Sequence, residues 1–345
     1  MNRRLSDAAP NLPTLADVAR AAGVSTATVS RCLNSPAQVQ EATRDRVLTA
    51  VASLGYSPNF GARALAARRT GTIGAIIPTM ENAIFARAIQ AFQEELHLSG
   101  VTLLVASSSY NPENEADQIR TLVARGADAL LLIGHDRDPG IYAFLEQRGV
   151  PVLVSWAFDP TQNRPSIGFD NRRAMAALAA EVLRLGHRRI GMISAPAEGN
   201  DRARGRIDGV RAALCDHGID PATLHLIETP YSIANGADAM AQLMAKTPPP
   251  TAVICGNDVL AVGAVQMARK LGLRVPEDVS ITGFDDIELA TVVDPALTTV
   301  HVPHREMGRE AARLLVGMVN GATPPPPVCL ETEFCARGTL AAPLK

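Results

Sequence analysis

Residues 23–34 read GVSTATVSRCLN, a stretch that carries Ser25, Thr26, Thr28 and Ser30 beside Ala27 and a single arginine, Arg31. Short hydroxyls at a helix N-terminus reach phosphate oxygens, and small side chains let a helix approach base edges in a major groove. Arginine suits a bidentate contact with guanine. The chemistry within reach is recognition of a DNA duplex, and the competing reading is the polar face of an ordinary helical pair.

Bond-making chemistry is harder to find. The chain has no G-x-G-x-x-G after a strand, no G-x-x-x-x-G-K-[ST], no G-x-S-x-G and no H-E-x-x-H. His301, His304 and Glu306 suggest a metal site, but HVPHRE has a proline at its third position and follows a strand, so the two histidines would not share a helical face. Solvated or packed histidines are expected there. Asp285 and Asp286 are adjacent, which turns their side chains apart and argues against a paired-carboxylate mechanism. No catalysis, no metal and no cofactor are expected.

The elements that must position the hydroxyls follow from periodicity and caps. LADVARAA repeats apolar residues at helical spacing, with Thr14 as its N-cap and Asp17 in its first turn. Gly23 stops that helix, Ser25 caps the next over 26–34, and a third opens near Glu41 and stops at Gly55. This is the geometry of a helix-turn-helix: Ala19 lets two helices cross closely, and Val18, Val24, Val29 and Cys32 form the seam. From Thr72 onward short apolar runs alternate with amphipathic segments: TIGAII, VTLLVAS, DALLLIG, VPVLVS, RRIGMIS, LHLIE, TAVICG, VSITGF and LTTVHV. Near-continuous apolar strands alternating with helices mean parallel sheets covered on both faces. So long a body is more than one sheet comfortably holds, so two lobes are expected.

Charge is unevenly spread over the 345 residues. Residues 1–69 balance at +5 and the remainder at −7, which points to an anionic partner for the N-terminal end only. The N-terminus has arginines but no apolar stretch behind them, and no run of apolar residues is long enough for a membrane span. Cys32, Cys215, Cys255, Cys329 and Cys335 are scattered with no C-x-x-C pair, a spacing that suits buried thiols in a reducing cytoplasm.

One resemblance gathers these features. TLADVARAAGVSTATVSRCLN, TRDRVLTAVASLGYSPNFGARALAARRTGTIGAIIP, LGHRRIGMIS, PTAVICGNDVLAVGAVQMARKLGLRVPEDVSITGFDD and LTTVHVP occur in the order and spacing of the lactose/galactose repressor (LacI/GalR) family. The match runs from Thr14 to Leu340. It implies an N-terminal all-α helix-turn-helix domain over 14–57, after a disordered tail at 1–13. A hinge helix over 58–70 would follow, then a two-lobed, periplasmic-binding-protein-like α/β core with parallel sheets over 71–340. One lobe would hold about 71–163 and 291–325, the other about 164–290 and 326–340.

The resemblance further implies that Thr26, Ala27 and Arg31 read bases, while Thr14, Ser25, Thr28, Ser30 and Asn34 contact or position phosphates. Leu65 matches a wedge that enters the minor groove between the central base pairs, with Asn59, Ala62 and Arg63 beside it. Unstacking a step costs a few kcal/mol, least at a pyrimidine–purine step, so a central CG is expected. Gly61 in so short a helix costs roughly 1 kcal/mol against alanine, so the hinge should fold only on DNA. By itself, residues 58–69 would read as a linker.

Positions matching the family pocket are Ile84, Phe85, Trp156, Phe169, Asn200, Arg202, Arg206, Asn257, Phe284 and Asp285. Arg206 would hold a hydroxyl or carboxylate, Asp285 would accept from hydroxyls, and Trp156 would stack on a sugar ring or serve as core packing. ENAIF has alanine where many relatives have proline, and Val302 stands where many have glutamine. HVPHREMG is closer to gluconate-repressor relatives, so a sugar or a sugar acid such as gluconate is the expected effector. The implied protein is a cytoplasmic, nucleoid-associated repressor that binds a pseudo-palindromic double-stranded operator as a homodimer, with no role for a membrane. No leucine heptads follow Leu340, so a coiled-coil tetramer is not expected. A sugar-binding protein or α/β enzyme without a DNA role is the alternative, disfavoured by residues 14–66.

Overall fold

The computed structural model describes residues 12–57, 69–81 and 83–344, which divide after Thr70 into two compact units. Most of the expected tail and hinge, including Asn59, Ala62, Arg63 and Leu65, lies outside the described residues.

The first unit is three helices, α1 (Leu15–Ala22), α2 (Thr26–Asn34) and α3 (Glu41–Leu54). Thr14 and Asp17 form a reciprocal capping box: Thr14 Oγ1 accepts from the Asp17 N–H at 3.3 Å, and the Thr14 N–H donates to Asp17 Oδ2 at 2.9 Å. Gly23 turns the chain at φ 65°, a left-handed conformation that costs glycine little. The Thr28 N–H then donates to Ser25 Oγ at 3.2 Å, which opens α2. Val18, Val29 and Val47 are fully buried where the helices meet, ringed by Ala19, Ala22, Cys32 and Ala50, with Val24 partly buried against them.

The second unit is α/β. Strands β1 (Thr72–Ile77), β2 (Thr102–Ser107), β3 (Ala129–Ile133), β4 (Val152–Ser155), β5 (Ser166–Gly168) and β11 (Val328–Cys329) make a six-stranded sheet in the order β11-β5-β4-β3-β1-β2. Its neighbours all pair in parallel. A second parallel sheet runs β7-β6-β8-β9, from β6 (Ile190–Ser194), β7 (His225–Glu228), β8 (Ala252–Cys255) and β9 (Ser280–Thr282). Between them β10 (Thr299–His301) pairs antiparallel with β12 (Glu333–Cys335), and bridges Thr282–Thr298 and Asp285–His301 tie this ribbon to the end of β9. Each expected apolar run forms a strand; β5, β11 and β12 are additional.

Those short strands shift the crossovers. Sequence reading changes lobe at 164 and 326, yet Ser166–Gly168 and Val328–Cys329 bond into the first sheet. Strands of two or three residues leave no periodicity to read, and only the ladder decides their sheet. The chain returns to the second lobe by Thr339, whose carbonyl accepts from the Ile281 N–H at 2.9 Å.

Helices cover both sheets, among them α4 (Ala83–Leu98) and α12 (His304–Val319) on the first, and α7 (Asn171–Arg184), α8 (Asp201–Asp216), α9 (Ile233–Met244) and α10 (Asp258–Lys270) on the second. Gly236 and Gly263 let α9 and α10 touch backbone to backbone, since a Cβ at either would overlap the other helix's main chain. That contact settles where the start of α10 points.

Candidate functional site

On the first unit, α2 is held by its apolar face, and the opposite face carries the hydroxyls. Ser25, Thr26, Ala27 and Arg31 are exposed, while Thr28 and Ser30 are half-buried and Asn34 ends the helix. Ser25 Oγ and Thr28 Oγ1 lie 2.9 Å apart, and the first turn holds no acidic residue. A helix N-terminus with hydroxyls and no carboxylate favours an approaching phosphate. Thr14 is also exposed, but its hydroxyl donates to Asp17 Oδ2 at 2.7 Å, so it would leave that bond to meet a ligand.

On the second unit, the candidate pocket residues converge between the C-terminal ends of the two sheets, where open α/β sheets take ligands. Ile84 and Phe85 open α4, Trp156 follows β4, Phe169 follows β5, and Phe284 and Asp285 follow β9. Asn200 and Asn257 cap α8 and α10, accepting through Oδ1 from the Ala203 and Leu260 N–H groups. All ten are buried. Phe85 packs on Trp156 at 5.2 Å between ring centroids, and Phe169 stacks on Phe284 at 5.9 Å.

Arg206 is the pillar of the cleft. Its Nε donates to Asn171 Oδ1 at 2.9 Å and its Nη1 to the Gly256 carbonyl at 2.6 Å, while its guanidinium lies 4.0 Å above the Phe284 ring. Its Nη2 faces Asp285 Oδ1 at 3.5 Å, an ion pair too long and too poorly aligned to count as a hydrogen bond. Arg202, one turn earlier on the same face, pairs with Asp201 at 2.8 Å.

Several polar atoms in this cleft are buried and bond nothing among the described residues: both carboxylate oxygens of Asp285, Asn257 Nδ2, Trp156 Nε1 and His304 Nδ1. His304 Nε2 lies 3.2 Å from the Asp285 carbonyl, which assigns it the proton and leaves Nδ1 an acceptor. Burial holds His304 below the usual histidine range, which favours its neutral ring. Such orphaned groups are rare in folded proteins and point to a ligand that supplies both donors and acceptors.

Sequence reasoning missed part of this site. His304 is a cleft residue as well as a packed histidine, while His301 turns away to Asp286 at 2.9 Å and Glu306 is exposed. Among the described residues no group of three or more His, Cys, Asp or Glu could hold a metal ion. Asn171, whose Nδ2 donates to the Trp156 carbonyl at 2.9 Å, orients Arg206. Asp258 lies beneath Asp285 and accepts from Thr299 Oγ1 at 2.6 Å and the Ile287 N–H at 2.8 Å; burial and the Asp285 charge push it up to about 8. Tyr110 and Tyr231 meet across the two lobes at 5.8 Å. A hollow of about 690 Å³ opens at the mouth, lined in part by Glu81, Ala83, Tyr231, Val259, Ile287 and Glu288.

Comparison with known proteins places both units. Residues 14–59 match the bacterial regulatory proteins of the lacI family, and residues 179–340 match the periplasmic binding protein-like domain. The HTH-type transcriptional repressor CytR of Escherichia coli K12 is 36% identical over 309 residues, covering 89% of this chain and 90% of its own length. The Lac repressor dimer, solved bound to operator and the anti-inducer ONPF, superposes with a TM-score of 0.85 at 27% identity, over 96% of this chain and 99% of the other. The transcriptional regulator CelR in complex with cellobiose superposes with a TM-score of 0.68 at 30% identity, over 95% of this chain and 99% of the other.

Proposed function

This chain belongs to the lacI family of bacterial regulatory proteins and is a DNA-binding transcriptional regulator, and we propose that it represses from a pseudo-palindromic operator as a homodimer. A two-fold protein calls for a two-fold site. Thr26, Ala27 and Arg31 read bases, Thr14, Ser25, Thr28, Ser30 and Asn34 meet phosphates, and Leu65, flanked by Asn59, Ala62 and Arg63, wedges the central step. The hinge spans 58–70 and the effector core 71–340. The protein works in the cytoplasm, at the nucleoid when on DNA; among the described residues no helix is long and apolar enough to cross a membrane.

The effector is a neutral polyhydroxylated ring, a sugar in preference to a sugar acid. The observation that carries this is the Asp285 carboxylate, whose buried oxygens accept no hydrogen bond among the described residues and so call for ligand hydroxyls. Arg206 is already engaged by Asn171, Gly256 and Asp285, and Arg202 by Asp201. Glu81 and Glu288 stand at the mouth. An anion would pass two carboxylates at the mouth and find the arginines of the cleft already paired with Asp201 and Asp285, which disfavours it.

Selection of duplex DNA from a random pool, repeated with glucose, ribose, cellobiose and gluconate added, tests both parts. Enrichment of a pseudo-palindrome supports the operator reading. Its loss or gain with a neutral sugar supports the effector reading. A response to gluconate alone would sink the neutral-ligand reading while leaving the regulator intact.

A further inference from the structure

We propose that four contacts between the lobes, on the side of the cleft away from the connecting segments, form a clasp that holds the cleft shut. The His135 N–H donates to Asp201 Oδ2 at 2.6 Å, and Arg204 Nη2 pairs with the Asp136 carboxylate at 2.8 Å. The Arg202 guanidinium rests directly on Gly134, where any Cβ would overlap it. The rings of Tyr110 and Tyr231 meet at 5.8 Å, tilted by 51°.

Position gives these contacts their leverage. Tyr110 follows β2, the strand that ends the first sheet on the side opposite β11, while residues 134–136 follow β3, two strands in from that edge. On the second lobe, Tyr231 follows β7, the outer strand opposite β9, and Asp201, Arg202 and Arg204 begin α8. The chain crosses between lobes at the other edge, where the Thr282–Thr298 and Asp285–His301 bridges lie. Opening about those crossings separates the far edge most, so the tyrosine pair has the longest lever and the contacts after β3 an intermediate one.

The clasp is also pre-aimed. Asp201 is held by Arg202 at 2.8 Å on one oxygen while the other takes the His135 N–H. Both are charge-assisted bonds in a half-buried setting, stronger than neutral ones. Tyr110 reaches the second lobe from left-handed backbone, with Ser109 at φ 53° and Tyr110 at φ 57°, a costly conformation for residues other than glycine.

Two consequences follow. A ligand reaches Asp285 and Trp156 only while the clasp is open, so its apparent affinity falls with the fraction of time spent open. Weakening the clasp therefore speeds entry. Neither consequence depends on which ligand the cleft takes.

Trp156 is the only tryptophan, and it lies 2% exposed on the floor of the cleft against Phe85. Acrylamide quenching of its fluorescence reads opening in the full-length protein without any ligand. Asp201→Ala with Arg204→Ala should raise the quenching constant about threefold, with each single variant between. The charge-swapped pair Asp136→Arg with Arg204→Asp should return it to the wild-type value, while Arg204→Asp alone raises it. The swap decides the matter if the double alanine variant does not melt cooperatively. Unchanged quenching in folded variants overturns the clasp, as does a wild type quenched as fast as free N-acetyltryptophanamide.

Discussion

Arg206 lies 4.0 Å over the ring of Phe284 and 3.5 Å from the carboxylate of Asp285, buried on every side. One guanidinium thus joins α7, the end of β8 and the end of β9. Arg206→Ala would leave the Asp285 charge buried without its cation, which costs about 3–5 kcal/mol. Urea unfolding of the core should show a loss of that size, and a loss below about 1 kcal/mol would mean the arginine is held for the ligand alone.

Asp285→Asn keeps the side chain's size and removes its charge. Hydrogen bonds to a charged acceptor carry more than neutral ones, so affinity for a neutral sugar should drop about tenfold to a hundredfold. Calorimetric titration checks this with whichever sugar alters DNA binding. Wild-type affinity in the variant would remove Asp285 from the ligand's contacts.

Asp258 gives the core a pH signature. Folded, its carboxyl is raised from 3.8 to about 8, so between those values the folded state holds a proton that the unfolded chain has released. Its contribution is complete below the unfolded value and is lost as pH rises through that window. Asp258→Asn can still bridge Thr299 and the Ile287 N–H. It should melt close to wild type at pH 5 and above it at pH 8; parallel melting curves for the two proteins would contradict this.

Arg31 is exposed on the free face of α2. Arg31→Ala should relax base preference at one position in each half-site, at a cost of about 1–3 kcal/mol on the preferred sequence. Competition binding against single-position operator variants measures it. An unchanged preference with a shallower salt dependence would make Arg31 a phosphate contact.

Leu65→Ala should weaken binding to the selected operator while sparing non-specific duplex, since a wedge stabilises only the kinked site. Gel-shift titrations on both DNAs separate these effects, and equal losses would argue against a wedge.

The DNA-reading unit was legible almost completely. Thr14, Gly23, Ser25 and Gly55 act through bonds to residues within a few positions, and Val18, Val29 and Cys32 follow helical spacing, so local sequence carries the information. The parallel strands were legible for a similar reason, because strands buried on both faces read as apolar runs. The pocket roster rested on family resemblance, and all ten of those residues are buried near strand ends and helix starts.

What sequence could not supply was who meets whom across long separations. Asn171 and Arg206, Asp136 and Arg204, or Asp258 and Thr299 are dozens of positions apart or more, and no periodicity links them. Composition likewise left Arg206 available for a carboxylate; only the packed structure shows two of its five N–H groups bonded to Asn171 and Gly256 and its charge paired with Asp285. Residues 166–168 and 328–329 illustrate the same limit, since a strand of two or three residues is defined by the ladder it joins. By itself, then, the sequence determined the elements, their order and the helix-turn-helix, because those depend on neighbours along the chain. Tertiary structure alone decided the crossovers, the charge balance of the cleft and the clasp at its rim, because each arises where distant segments share one buried space.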